Sequence, residues 1–294
     1  MRTRLIPSKN YETRRRSAIN ACSAKSLWNP RFITLRYAVK VHPSKVIQPQ
    51  NRVRVVTLNM HKGVSALHAH STVYRLKQEM RLHNQDLIFI QEFQQEHRGR
   101  VRRFGQWPAN ELSHFLAEGF WHDWHYGKNA EYRQGHHGNA IFSKHPLHKG
   151  FNYDISAYRF ERRGLLHSSI QLPGSDITIH CFCVHLALFE RGRERQLLEI
   201  ISYINALTQG GPSIVAGDFN DWRNRISAPM RDAGFLEVFE TLTGSPAKTF
   251  PSIRPLLPMD RIYVRGLQVH TADILEEWFR LSDHLGIAAE LELL

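Results

Sequence analysis

From Val53 onward, short apolar runs of strand length alternate with segments in which apolar residues recur at the helical period. The runs predict strands at 53–59, 86–91, 139–143, 165–172, 177–184, 213–217, 260–264 and 285–292. Helices are predicted at 71–83, which Ser71 or Thr72 can cap, and at 109–118, 190–207 and 228–233. In the third of these, Leu197, Ile200, Ile201 and Ile204 fall on one face. Such alternation indicates an α/β architecture. Pro173-Gly174-Ser175-Asp176 joins two apolar runs directly and reads as the turn of a β-hairpin, which argues against a purely parallel, doubly wound sheet.

Polar residues sit where the apolar runs stop. The run Ser213-Ile-Val-Ala-Gly-Asp-Phe-Asn-Asp221 carries Asp218 and Asn220 to a strand end two positions apart, so both side chains share a face. A carboxylate and an amide converging there suit the activation of a water. Asn59, Glu92, His185 and Asp283-His284 likewise end or adjoin apolar runs, and together these groups predict one site. The plainer alternatives are a solvated charge after a strand for Glu92 and a turn that caps the next helix for Asp218.

Charge is divided unevenly. Residues 1–50 hold eleven basic side chains and one acid, Glu12, a net of +10 out of the chain's +12, so residues 51–294 carry only +2. The charge therefore does not select a nucleic acid as substrate. Residues 1–50 are expected to be a disordered basic extension, with three competing roles: a transit-type sequence, an anchor to anionic lipid, or a dispensable leader. Residues 51–294 read as one catalytic domain. No apolar stretch is long enough to span a membrane, and the expected setting is cytoplasmic, with peripheral membrane contact as an option. Of three cysteines, Cys181 and Cys183 lie two apart on a predicted strand, about 6.6 Å between Cα atoms with parallel side chains. That geometry suits neither a disulfide nor a zinc site, and both are expected to be small buried residues.

Seven segments in order carry a family resemblance: Thr57-Leu58-Asn59-Met60-His61, Ile90-Gln91-Glu92, His137-Gly138-Asn139-Ala140-Ile141, Val184-His185-Leu186, Gly217-Asp218-Phe219-Asn220, Met259-Asp260-Arg261-Ile262 and Ser282-Asp283-His284. Over about residues 52–294 the chain resembles the endonuclease/exonuclease/phosphatase superfamily of metal-dependent phosphohydrolases. It is most similar to a group of small bacterial members whose substrate is poorly defined. The resemblance implies a four-layered α/β sandwich of the DNase I type, with two packed mixed β-sheets flanked by helices and a site at the rim where strand ends meet.

It also implies roles. Glu92 would hold the metal with Asn59 beside it and Asp283 as a further ligand; hard oxygens of this kind suit Mg²⁺ or Mn²⁺. Asp218 would orient or deprotonate the water, and Asn220, His185 and His284 would contact the phosphate. Asp260 would orient His284 and favour its protonated form, and Asn139 would be the buried amide that supports the site, with a loop cap as the alternative. His185-Leu186-Ala187-Leu188 departs from the tyrosine-containing segment of apurinic endonucleases, which counts against abasic-site specificity. His61 and His137 are candidates for an outer ring, Arg163 and Arg195 read as surface or helix salt-bridge residues with contact to a phosphate or acidic headgroup as the alternative, and Trp121, Trp124, Trp222 and Phe250 as either cleft wall or core. The expectation is a monomeric, Mg²⁺-dependent hydrolase of phosphate esters, a phosphodiesterase acting on nucleic acid or a phospholipid headgroup. The alternative is a non-catalytic phosphate- or lipid-binding protein that retains the fold.

Overall fold

The computed structural model describes residues 51–294 except 66–69, 106, 109 and 110. The basic extension expected at 1–50 lies outside the described residues, as do the first two positions of the helix predicted at 109–118.

Six strands build each of two mixed sheets. The first contains β1 (Arg52–Asn59), β2 (Leu87–His97), β3 (Asp123–Tyr132), β4 (Gly135–Ser143), β11 (Leu267–Leu275) and β12 (Gly286–Leu293), in the order β11-β12-β1-β2-β4-β3. The second contains β5 (His148–Asp154), β6 (Gly164–Gln171), β7 (Thr178–His185), β8 (Ser213–Asp218), β9 (Leu236–Glu237) and β10 (Asp260–Arg265), in the order β5-β6-β7-β8-β10-β9. Only β1/β2 and β7/β8 pair in parallel. Helices α1 (Val73–His83), α2 (Arg98–Arg103), α3 (Leu112–Ala117), α4 (Glu190–Thr208), α5 (Ser227–Asp232) and α6 (Val238–Thr243) fill the connections. The expected hairpin is present as β6 and β7, paired antiparallel.

Burial explains why the central strands read as unbroken apolar runs. Val55, Phe89, Leu166, Cys183 and Ile262 lie in the core between the sheets. Their neighbours Val56, Leu58, Ile88 and Ile90 face the other way and pack with Leu76 and Met80 of α1 and Leu116 of α3. On the far side, Phe182, Val184 and Val215 pack with Leu197, Ile200 and Ile204 of α4. Both faces of each sheet's centre are therefore buried, giving helix, sheet, sheet and helix layers. Cys181 and Cys183 are free thiols inside this inter-sheet core, and burial pushes the Cys183 thiol up to about 12.

The strands absent from the apolar pattern, β3, β5, β9 and β11, are the four edges of the two sheets. An edge strand with a solvated face needs no continuous apolar run, and β5 reads His-Lys-Gly-Phe-Asn-Tyr-Asp with mostly exposed positions. Aromatic residues expected at a cleft or core divide: Trp121 is buried against Phe142, and Trp124 meets His114 of α3, so both belong to the helical side. Arg195 pairs with Glu199 one turn along α4.

Strand direction decides where chemistry collects. β1, β7 and β8 end, and β10 and β12 begin, at one rim of the sandwich, where Asn59 of one sheet bonds Asp218 of the other. Gly217 allows β8 to approach β7 there. Its φ is +153°, and a Cβ would lie 2.0 Å from the Val184 carbonyl oxygen.

Candidate active site

Asp218 is the hub. Its carboxylate is 1 % exposed; Oδ2 accepts from Asn59 Nδ2 at 3.0 Å and Oδ1 from the Asn220 backbone N–H at 2.9 Å. Two imidazoles face the same Oδ2, His185 Nε2 at 3.4 Å and His284 Nε2 at 3.8 Å. Asp260 stands behind His284. Its Oδ2 receives His284 Nδ1 at 2.8 Å and the Thr249 hydroxyl at 2.6 Å. Asn220 turns back, its Nδ2 donating to the Leu186 carbonyl at 3.0 Å. Six of the residues expected at the site, Asn59, His185, Asp218, Asn220, Asp260 and His284, thus form one buried cluster.

The electrostatics separate the two histidines. Burial pushes Asp218 up to about 6, although His284 and the Asn59 and Asn220 donors pull the other way. Burial also opposes charge on His284, but Asp260 and Asp218 outweigh it and raise this group to about 10. His185, fully buried and facing the positive charges of Arg163 and His284, is held well below its ordinary value. At neutral pH the cluster therefore holds an ionised Asp218, a protonated His284 and a neutral His185.

Glu92 and Asp283 stand beside this cluster. Parallel register sets Asn59, the last residue of β1, next to Gln91, so Glu92 follows one residue further along β2, which continues to His97 and does not stop at Gln91 as the apolar run predicts. Glu92 is half-buried with φ +51°, at an irregularity in the β2/β4 ladder, and no hydrogen bond or ion pair engages its carboxylate among the described residues. Asp283 Oδ1 lies 3.1 Å from Ser282 Oγ, whose proton goes to the Asn59 carbonyl, and faces His61 Nδ1 at 3.4 Å. Backbone strain concentrates here. Seven described residues other than glycine have positive φ, and four of them, His61, Lys62, Glu92 and Asn220, border the site; Asn84 and Gln209 cap helices, and Asn224 bonds Ser227 and Glu240.

Asn139 lies deeper. Its amide donates to the carbonyls of Gly164 at 2.8 Å and Cys183 at 3.2 Å, tying β4 of one sheet to β6 and β7 of the other. Arg163 donates to the Leu186 carbonyl at 3.2 Å and pairs with Glu161, sharing that carbonyl with Asn220. Phe250 packs on His284 with ring centroids 4.9 Å apart, and the indole of exposed Trp222 lies against Arg193. His137 is half-buried, and desolvation pushes it down to about 4. Sequence reasoning missed Thr249, which has no motif around it. It also passed over Ser282, whose hydroxyl donates to the Asn59 carbonyl at 2.6 Å and whose place beside Asp283-His284 was the available signal.

Two sets of donors compete for a cation. Asp218, Asp260 and His284 offer three ligand atoms within 4.8 Å of one another. That set is buried and already bonded internally, and a protonated His284 has no lone pair to give. Glu92, Asn59 and Asp283 fit better. The Glu92 carboxylate accepts no hydrogen bond among the described residues, although Arg100 feels its charge, Asn59 Oδ1 takes a single bond from the His61 N–H, and all three supply hard oxygens. Among the described residues, no helix is long and apolar enough to cross a membrane.

Comparison with known proteins places this arrangement. The uncharacterized protein YbhP of Escherichia coli K12 is 40 % identical over 243 residues, covering 82 % of this chain and 96 % of YbhP. An endonuclease/exonuclease/phosphatase from Beutenbergia cavernae superposes with a TM-score of 0.69 at 18 % identity, over 83 % of this chain and 72 % of its own. The zebrafish (D. rerio) protein TDP2, solved with a single-strand DNA product, superposes with a TM-score of 0.60 at 18 % identity, over 82 % of this chain and 99 % of its own. At that identity these structures establish the fold alone. Residues 56–284 match the family's sequence pattern directly, from the strand that delivers Asn59 to His284 itself: the chain belongs to the Endonuclease/Exonuclease/phosphatase family, whose members generally hydrolyse phosphoesters with a metal ion.

Proposed function

We propose that this chain is a divalent-metal-dependent phosphodiesterase in which Asp218 activates the attacking water. The observation that carries this reading is Asp218 itself, a buried carboxylate anchored by two donors and flanked by one neutral and one protonated imidazole. Raised to about 6, it stays ionised at neutral pH yet is a stronger base than an exposed aspartate. As the water oxygen bonds to phosphorus and the ester P–O bond breaks, Asp218 takes the water's proton. His284, kept charged by Asp260, donates to a phosphoryl oxygen as negative charge builds, and His185 Nε2 and the second amide proton of Asn220 supply further donors. Asn139 holds the two sheets at the spacing these contacts need.

Glu92, Asn59 and Asp283 would hold the metal, Mg²⁺ or Mn²⁺ by their hard oxygen donors. When bound, the ion neutralises phosphoryl charge and stabilises the leaving oxygen. A monomer suffices, since every group named comes from one chain. The test is hydrolysis of bis(p-nitrophenyl) phosphate with Mg²⁺, Mn²⁺ or EDTA, beside p-nitrophenyl phosphate as a monoester. Metal-dependent release from the diester supports the reading; release in EDTA, or from the monoester alone, refutes it.

A further inference from the structure

The strand directions that gather the polar cluster also fix which loops surround it. Loop 155–163 leads into β6, which pairs with the end of β7; residues 186–189 follow His185; loop 249–259 leads into β10, whose Asp260 pairs with Asp218. All three rise from the rim that carries the site, two on its β6 side and one on its β10 side.

Each loop presents apolar side chains that the interior has not taken. Phe160 is 76 % exposed and Ile253 81 %, and Leu188, Phe189 and Leu256 are exposed as well. They are held in place. Tyr158 stacks on Phe160 at 5.3 Å and meets Phe189 edge-on at 5.9 Å. Across the site, the Leu256 N–H bonds the carbonyl of Phe250, the ring that packs on His284, and the Ser252 N–H bonds the Asp283 carbonyl at 2.7 Å. Arginines accompany these tips. Arg223 and Arg225 share Glu190, but exposed Arg159, Arg191 and Arg254 have no carboxylate within ion-pair distance among the described residues. The net +2 of residues 51–294 conceals this placement.

The geometry points to a docking surface for a bilayer containing anionic phospholipid, on which the two lips seat so that the rim meets a headgroup phosphodiester. This rests on the phosphodiesterase reading above. Guanidinium groups suit the anionic headgroups, and the apolar tips enter the interface beneath them. A single-stranded nucleic acid would satisfy the arginines and stack on Phe160 or Phe189. It would leave Leu188, Ile253 and Leu256, which have no π face, in water. The aliphatic members of both lips therefore favour hydrocarbon.

The experiment sediments the full chain with phosphatidylcholine vesicles, with and without roughly one third phosphatidylglycerol. Phe160→Ser/Ile253→Ser and Arg159→Gln/Arg254→Gln are run alongside, and hydrolysis of soluble bis(p-nitrophenyl) phosphate is measured for each. The wild type should partition onto the anionic vesicles. The apolar double variant should lose about tenfold or more of that partition, and the arginine variant should lose the preference for anionic over neutral vesicles, both with unchanged soluble turnover. Equal partition of the wild type and Phe160→Ser/Ile253→Ser overturns the proposal, including the case in which residues 1–50 alone hold the chain to the vesicles. So does binding to a single-stranded DNA oligonucleotide that the apolar variant loses while vesicles bind neither protein. A wild type that partitions through these lips but never hydrolyses the soluble diester supports the surface and removes the reaction.

Discussion

Replacing Asp218 by Asn separates what this side chain does for turnover from what it does to stability, and the two effects have opposite signs. Folding raises the Asp218 carboxyl from 3.8 to about 6, chiefly by burial. Below about pH 4 it is protonated in both states and costs nothing. Between about 4 and 6 the unfolded chain releases this proton first, so the group's contribution to stability falls as pH rises, and above about 6 the loss is constant. At about 1.4 kcal/mol per unit, the buried charge costs the fold about 3 kcal/mol at pH 7. Asn is neutral throughout and retains one oxygen, which can accept from either the Asn59 amide or the Asn220 N–H but not keep both bonds, a loss that does not vary with pH. Asp218→Asn, unfolded by urea in EDTA, should therefore gain on the wild type by about 2–3 kcal/mol as pH goes from 4 to 7. Its turnover of the diester should fall by a factor of about 10² or more, because no base remains to take the water's proton. A stability difference that does not change across that range would refute the electrostatic reasoning, and wild-type turnover would refute the catalytic one.

Three further outcomes are expected. Asp260→Asn removes the main support for the charged His284, whose stabilising effect is present below about 6.5 and lost as pH rises through about 10. The variant's stability deficit should be largest near pH 6 and shrink toward pH 10, and the alkaline limb of its rate profile should move to lower pH; an unshifted limb removes the charged His284 as the phosphoryl donor. Glu92→Gln should weaken Mg²⁺ binding, read by calorimetry as well as by activity, about tenfold or more with little change in metal-free melting temperature, and an unchanged titration would take Glu92 out of the metal's coordination. Gly217→Ala places a Cβ 2.0 Å from the Val184 carbonyl oxygen in a backbone conformation alanine avoids, so it should destabilise by more than about 3 kcal/mol, and a melting curve that overlays the wild type would contradict the close approach of β7 and β8.

The interior of this protein was legible because burial on both faces leaves a simple trace. Strands such as 213–217 and 177–184 are mainly apolar, most completely over 214–216 and 181–184, and the polar residue that ends each run marks the rim where Asp218 and His185 stand. The edges left no such trace, since β3 and β5 turn one side to water and so carry no continuous apolar run, although each pairs with the strand that follows it in sequence. Residue types at the site were readable, whereas their mutual engagement was not. Nothing in the sequence indicates that Asn59 donates to Asp218 159 positions away, or that Thr249 braces Asp260. Charge was misleading in the same way, because a sum over residues 51–294 has no direction, whereas Arg159 and Arg254 stand beside the lips of one rim.

The bond from Asn59 to Asp218 crosses from one sheet to the other, and so does the bracing of β6 and β7 by Asn139. Neither half of the sandwich contains a complete set of reacting groups. A chain caught with one sheet formed and the other still searching for its register lacks the assembled cluster, so on the reading proposed above turnover would begin only once the two sheets have docked. Recovery of turnover after denaturant is removed would then time the docking of the sheets, an event that helix or strand content alone would not register.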